Sequence, residues 1–425
     1  MPPVKGISRK QPCRKEKLMT ITQAHIQLAE KFMHKQYWES VIVPESLKSL
    51  VALAYTEEEA QLVHALSFAN ATAGKIARLV KRPVGEVRPM LESLSDRLLI
   101  TGLKIKGIQT YGFMNFVPGL FEVQMIRSKN EEHNEDTREF FVEFAALFHE
   151  FYEEIMPWLK DNLAGKDVRF MRIIPVGKSL QNLGGVIPVT TDSFQETIDR
   201  NNSFCLVDPC ACRQEMHLLG EGCDKPRDVC SAMGWLADYC IEKGLARRVS
   251  KEEYIDAKTR AAEAGLVNMT DNLANPMQVC SCCACCCGAL RMLRDYSIPT
   301  IVAGSRFESA VDSLQCNACG KCSQVCPMKA IEWKKKQPPV RINYARCIGC
   351  GLCVAACDKQ KAMSLRERQD YTPPSKTVFD YYADRYLEVK GNNVSFGPQL
   401  KLGIGRMISR VSPFSLSGPG YKSPK

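Results

Sequence analysis

Twenty-one cysteines in 425 residues are the chemistry-bearing feature of this chain, and most of them fall in four short stretches. Residues 316–326 read CNACGKCSQVC and residues 347–357 read CIGCGLCVAAC. Both follow C-x2-C-x2-C-x3-C, and they repeat at an offset of 31 residues. Three thiolates at this spacing on a tight loop can wrap three corners of an iron–sulfur cube. Gly320 and Gly351 permit the sharp turn that lets amide N–H groups point at sulfur. The fourth corner must come from farther along the chain. One such run alone would also suit zinc; two copies point to a pair of clusters.

The double run is the bacterial two-cluster ferredoxin signature, in which the fourth cysteine of each run crosses to the other cluster. Cluster 1 is therefore assigned Cys316, Cys319, Cys322 and Cys357. Cluster 2 is assigned Cys347, Cys350, Cys353 and Cys326. Pro327 follows Cys326 as the pattern asks, but Asp358 stands where a second proline belongs. Proline is not a ligand, so the cluster is expected to survive, with its potential shifted slightly by the acid. Between residues 316 and 357 seven Lys/Arg face only Glu332, which offsets the negative charge of such clusters. Lys334 to Lys336 form either a solvated run or a docking patch for an acidic redox partner.

A second set lies upstream. DPCACRQEMHLLGEGCDKPRDVC supplies Cys210, Cys212, Cys223 and Cys230; VCSCCACCCGAL supplies Cys280, Cys282, Cys283, Cys285, Cys286 and Cys287. One cube or one zinc uses four thiolates, so ten exceed a single simple site. The set suits two four-thiolate clusters with two cysteines spare, or a larger iron–sulfur assembly, with ligands shared between the two segments. A structural zinc explains four of the ten. Dithiol chemistry would favour a C-x-x-C on a thioredoxin-like unit, and no such context is evident. Cys13, Cys205 and Cys240 stand apart and are expected to be ordinary buried or incidental thiols.

The elements that position these residues follow from length and pattern. A chain this long exceeds one hydrophobic core and is expected to form about two to four domains. Apolar residues make up 45% and charged residues 24%, as in soluble globular proteins. No apolar run reaches the roughly 18 residues needed to cross a bilayer. A cytoplasmic location is expected, where thiols stay reduced and clustered cysteines bind metal rather than pair. The formal charge of +10 sits in the two ends: residues 1–17 and 401–425 each carry a net +5. Such ends are expected to be solvated tails, the alternative being that they dock an acidic partner or an anionic membrane surface.

Residues 20–40 look helical, with Pro44 ending that segment. Three helical stretches follow between residues 56 and 100, with Pro83 opening the third, and TGLKIKGIQTYGFMNF then reads as a hairpin. Three helices and a hairpin resemble a winged-helix module. Its net charge is only +2, with nine Lys/Arg against seven Asp/Glu. Its third helix sets Arg88 and Arg97 against Glu86, Glu92 and Asp96, a poor face for phosphates, so nucleic acid is not the favoured partner. The aromatic stripe from Phe140 to Tyr152 suits a core-facing helix. Strand-like VRFMRIIPV, GGVIPV and SFCLVDP follow, then helices over 231–244 and 250–265, the latter opened by Ser250 and Glu253 as a capping box.

The expected architecture is α+β and multidomain. Residues 1–45 form a basic tail and helix, 46–128 a winged-helix-like module, 129–305 a cysteine-rich α/β domain, 306–366 a two-cluster ferredoxin domain, and 367–425 a basic tail. This order of parts resembles a group of multi-cysteine ferredoxin-type proteins of anaerobic bacteria, through Asp208 to Arg213, Cys280 to Cys287 and the two runs at 316 and 347. The resemblance spans roughly residues 50–365. It implies iron–sulfur electron transfer in anaerobic metabolism and gives no settled substrate; two 4Fe-4S clusters, further iron–sulfur centres at the second set and an oxidoreductase as redox partner are what the cysteine runs themselves lead us to expect. No Rossmann fingerprint, P-loop or H-E-x-x-H appears. The rival readings are a redox-responsive DNA-binding regulator, and an iron–sulfur reductase with catalysis at the set from Cys210 to Cys287.

Overall fold

The computed structural model describes residues 20–35, 40–131, 134–166, 168–182, 194–298, 301–377 and 380. Both basic ends, Cys13 and the strand-like 184–189 lie outside the described residues. Two helices come first, α1 (Gln23–Phe32) and α2 (Glu45–Ala54). The expected 20–40 helix is thus shorter. Pro44 does not terminate it but sits at the N-cap of α2, where its missing N–H costs nothing.

Next come α3 (Glu57–Ala65), α4 (Ala73–Val80) and α5 (Val84–Asp96), then the antiparallel pair β1 (Thr101–Ile105) and β2 (Ile108–Gly112). Thr56 starts α3 with a reciprocal cap, in which its hydroxyl accepts from Glu59 N–H and the Glu59 carboxylate accepts from Thr56 N–H. Leu47, Leu50, Val63, Leu91, Leu94 and Ile100 bury completely between these helices. Helices α6 (Phe121–Ser128) and α7 (Glu135–Leu163) close over the same core. The α7 stripe turns Phe141, Phe144, Phe148, Phe151 and Tyr152 inward, as its spacing predicts, and Phe148 stacks on Phe121.

The cysteine-rich region is built on β3 (Met171–Ile174), α8 (Phe194–Asp199), β4 (Phe204–Val207), α9 (Ala211–Leu218), β5 (Cys230–Met233) and α10 (Gly234–Glu242). It continues with β6 (Ala246–Arg248), α11 (Lys251–Glu263), β7 (Val267–Asp271), β8 (Gln278–Cys282), α12 (Gly288–Arg294) and β9 (Val302–Ala303). The seven strands form one sheet in the order β6-β4-β5-β8-β7-β3-β9. Every pairing except β3 with β9 is antiparallel. The expected α/β layering is therefore corrected to α+β, because a short connection such as the one from β7 to β8 forms a hairpin and leaves no room for a crossover helix. The helix read over 231–244 begins at Gly234, since Cys230–Met233 instead pairs with β4 and β8. The Ser250 hydroxyl does cap α11, accepting from Glu253 N–H.

The last unit is framed by β10 (Phe307–Val311) paired with a returning strand over Met363–Glu367. Between them lie α13 (Lys321–Gln324), the pair β11 (Ile331–Glu332) and β12 (Arg341–Ile342), and α14 (Leu352–Ala356). This unit rests on the large sheet: Val176 N–H donates to Cys350 O at 3.0 Å, and Ser305 N–H to Ile348 O at 3.1 Å. Among the described residues, no helix is long and apolar enough to cross a membrane.

Candidate metal centres

The eight ladder cysteines gather as two quartets, each crossing between the runs. Cys316, Cys319, Cys322 and Cys357 line one small pocket, and Cys326, Cys347, Cys350 and Cys353 line another. Gly320 and Gly351 open α13 and α14 with φ of 82° and 77°, the left-handed conformation that only glycine takes freely. A Cβ on Gly351 would also overlap the Ser179 hydroxyl. We expect Gly351→Ala to lower the unfolding free energy by about 3 kcal/mol, measured by urea denaturation of the full chain.

The donor set suits iron–sulfur clusters. Sulfur receives hydrogen bonds of the kind that tune such centres: Ala330 N–H donates to Cys326 Sγ at 3.2 Å, and Ser309 Oγ lies 3.0 Å from Cys353 Sγ. Burial pushes the Cys322 thiol up to about 11, Cys353 up to about 12 and Cys350 well above the usual range. Thiolates in these cages therefore require metal to stabilise them, and loading releases protons. Asp358 lies 3.3 Å from Lys321 Nζ, so the acid that replaces proline is offset locally.

The ten upstream thiols divide into two groups. Six form a closed ring of interacting neighbours in the order Cys210, Cys212, Cys287, Cys282, Cys280, Cys230 and back to Cys210. Strand β8 contributes Cys280 and Cys282 from one face, being two residues apart. Cys230 opens β5, Cys210 caps α9 and Cys287 caps α12. Cys230 and Cys287 each take hydrogen bonds from two ring neighbours and are pulled well below the usual thiol range. Cys212, Cys280 and Cys282 are pushed well above it, chiefly by hydrogen bonds to Cys210, Cys230 and Cys280 respectively.

The other four, Cys223, Cys283, Cys285 and Cys286, bring all their Sγ atoms within 4.8 Å of one another. Cys205 and Cys240 interact with each other and belong to neither group.

Two buried cations serve these groups: Arg213, which the sequence marks only as the end of the Asp208 to Arg213 stretch, and Lys258, which it does not mark. Arg213, on α9, sends Nη2 to 3.9 Å from Cys230 Sγ of the ring and Nη1 to 4.0 Å from Cys283 Sγ of the quartet. Burial opposes its charge, but Cys210, Cys230 and Cys283 outweigh that and hold its pKa above the ordinary value. Lys258, on α11, donates to Val229 O (2.6 Å), Val279 O (3.1 Å) and Ser281 Oγ (3.2 Å) beneath the ring. Burial lowers it to about 8 against the pull of Cys230, Cys280, Cys282 and Cys210. Neither cation forms an ion pair with a carboxylate among the described residues, so thiolate charge is their natural counterpart. A signal existed for Lys258: it stands in the inward stripe Tyr254, Ala257, Lys258, Ala261 of an otherwise polar helix.

Proton-holding groups gather beside Cys287. Burial raises the Glu122 carboxyl to about 7, and it accepts from Gly119 N–H at 2.6 Å. Burial also raises Glu215, which lies 3.2 Å from His149 Nδ1. On the hairpin that carries Cys280 and Cys282, half-buried Asp271 accepts from Met277 and Gln278 N–H at 3.2 and 3.3 Å, and its desolvation raises the carboxyl to about 7. Its folded pKa exceeds its unfolded one, so the folded state holds more protons and stability falls as pH rises from about 4 to about 7. We expect Asp271→Asn to flatten that decline and to be the more stable form at pH 8 by about 2–4 kcal/mol, measured by urea unfolding at pH 5 and pH 8.

In the N-terminal helices, Arg82 pairs with Glu58 at 2.7 Å and Glu86 at 3.4 Å, and Arg97 pairs with Glu59. These bases are already engaged with acids.

A family model for a 4Fe-4S dicluster domain matches residues 315–361. The uncharacterized ferredoxin-like protein YdhY of Escherichia coli (strain K12) is 41% identical over 44 residues, which are 10% of this chain and 21% of that protein. NADH-quinone oxidoreductase subunit I of Pelobacter propionicus is 32% identical over 69 residues, 14% of this chain and 37% of that protein. The chain thus spans about a fifth to somewhat over a third of the length of these relatives. No solved structure matches the chain.

Proposed function

We propose, starting from the 4Fe-4S ferredoxin-type domain at residues 315–361, that this chain is an iron–sulfur electron-transfer protein whose two ferredoxin cages exchange electrons with a third centre at the six-thiol ring. One observation carries the reading. Cys350 of the second cage shares a single buried core with Cys282 and Cys287 of the ring. Cys322 and Cys353, one from each cage, share another. The three sites are thus joined in series by close-packed protein.

Clusters bound in the cages supply one-electron redox chemistry. The chain holds Cys316, Cys319, Cys322 and Cys357 around the first and Cys326, Cys347, Cys350 and Cys353 around the second, sets Lys258 and Arg213 against the ring's charge, and keeps water from the joining core. The domain limits of 46–128, 129–305 and 306–366 belong to the same reading. Its partner is a redox protein, an oxidoreductase, that docks on the exposed loop of Trp333 and Lys334 to Lys336 beside the first cage.

The test is iron and acid-labile sulfide per chain after anaerobic purification, with EPR on the reduced protein. Iron clearly above about eight, lost on Cys282→Ala, is expected; about eight irons, unchanged by that substitution, would overturn the ring as a centre. Glu122 and Glu215, whose raised carboxyls feel Cys287, favour a second reading, proton-coupled reduction of a substrate at the ring. Turnover with a reduced dye and disulfides or acyl thioesters separates it from a pure carrier. DNA binding draws no support from Arg82 or Arg97, and salt-dependent retention on duplex DNA is its test.

A further inference from the structure

We infer that Cys223, Cys283, Cys285 and Cys286 form a mononuclear tetrahedral zinc site, separate from every iron–sulfur centre and bracing the six-thiol ring. The argument is one of size. Cys223 Sγ lies 3.9 Å from Cys283 Sγ and 3.6 Å from Cys286 Sγ, and Cys286 Sγ lies 3.8 Å from Cys285 Sγ. Four sulfurs each about 2.3 Å from a central zinc stand about 3.8 Å apart at the corners of a tetrahedron. The spacing is that of one atom, not of a cube.

The same molecule provides the comparison. In neither ferredoxin quartet do the sulfurs all lie within 4.8 Å of one another. A quartet meant for a four-iron cube has no reason to contract so far. The ring thiols are not mutually close in this way either, so the two upstream groups are different kinds of site.

Local geometry agrees. Residues 283–287 make a tight turn closed by Cys287 N–H donating to Cys283 O at 3.1 Å, and Cys286 N–H is directed at Cys283 Sγ. Cys283 and Cys286 are buried against Met216, Val229, Ala261 and Leu266, and Cys223 comes in from the loop that joins α9 to β5. Four thiolates leave no open position, which is the mark of a structural rather than a catalytic zinc.

Its place in the chain gives the site its purpose. The quartet ties the loop between Cys212 and Cys230 to the turn between Cys282 and Cys287. All four of those residues belong to the ring. Zinc there fixes the two ring-bearing segments against each other, and Arg213 lies between the two groups of sulfur. The inference is independent of whether the ring transfers electrons.

Zinc and iron measured together on the full chain, purified anaerobically from medium containing both metals, test it. About one zinc per chain is expected, retained in Cys282→Ala and lost in Cys286→Ser, with the ferredoxin EPR signals intact in both variants. Should Cys286→Ser not fold, Cys285→Ser alters the exposed ligand, and zinc should then pass to a chelator about tenfold faster or more. Cobalt(II) taken up in place of zinc should show tetrahedral four-sulfur ligation by X-ray absorption. Zinc-free protein in which Cys286→Ser instead removes about four irons would overturn the assignment and leave the ring reading untouched.

Discussion

We expect Cys357→Ala to empty the site of Cys316, Cys319 and Cys322 while the proposed cluster at Cys347, Cys350 and Cys353 is kept, and Cys326→Ala to do the reverse. Each variant loses about four irons and one of two overlapping EPR signals. The expectation follows from the cavities, since Cys357 lines the first and Cys326 the second, each remote in sequence from its three partners. A zinc-like arrangement, with each run closing on itself, predicts the opposite pairing of losses. The two sites are distinguishable by surroundings: Cys319 of the first is exposed and Lys321 and Asp358 lie beside it, whereas Cys350 of the second is buried against the large sheet. The first should therefore be the faster to react with oxygen, and its signal is the one that Cys357→Ala should erase. Loss of the buried-site signal in Cys357→Ala would refute the crossed assignment.

That the eight ladder cysteines gather together was legible because the signal is local: three cysteines in seven residues, with glycine where the backbone must turn. Helix α7 and the cap of α11 were legible for the same reason, their signals being contained within a few turns. The division of the ten upstream thiols was not. In VCSCCACCCGAL the strand β8 sends Cys280 and Cys282 to the ring, the turn sends Cys283, Cys285 and Cys286 to the quartet, and Cys287 at the start of α12 returns to the ring. Adjacent residues part company because the chain passes from strand to turn to helix within eight positions. No spacing rule encodes that passage. Strand β5 was hidden similarly, since Cys230–Met233 is too short to show alternation and becomes a strand only by pairing with neighbours about 27 and 47 residues away.

Lys258→Met should produce the largest effect of any substitution that touches no thiol. The ammonium donates to Val229 O, Val279 O and Ser281 Oγ, which uses all three of its protons. Methionine fills the space but leaves two carbonyls and a hydroxyl without that donor, which lowers stability by about 3 kcal/mol or more. A simple packing defect would stop there. The second effect rests on the proposed ring centre and is electrostatic: a unit charge removed from beside a buried redox centre is worth about 2 kcal/mol, or roughly 100 mV for one electron. Loss of the cation favours the oxidised, less negative form, so the ring's potential should move downward by about that amount. The ferredoxin potentials should stay in place, because Lys258 faces Cys230, Cys280, Cys282 and Cys210 rather than either cage. Redox titration followed by EPR reads the three sites separately. An unchanged ring potential, in protein that still binds the ring's metal, would mean that Lys258 only props the sheet and that the ring's charge is balanced elsewhere.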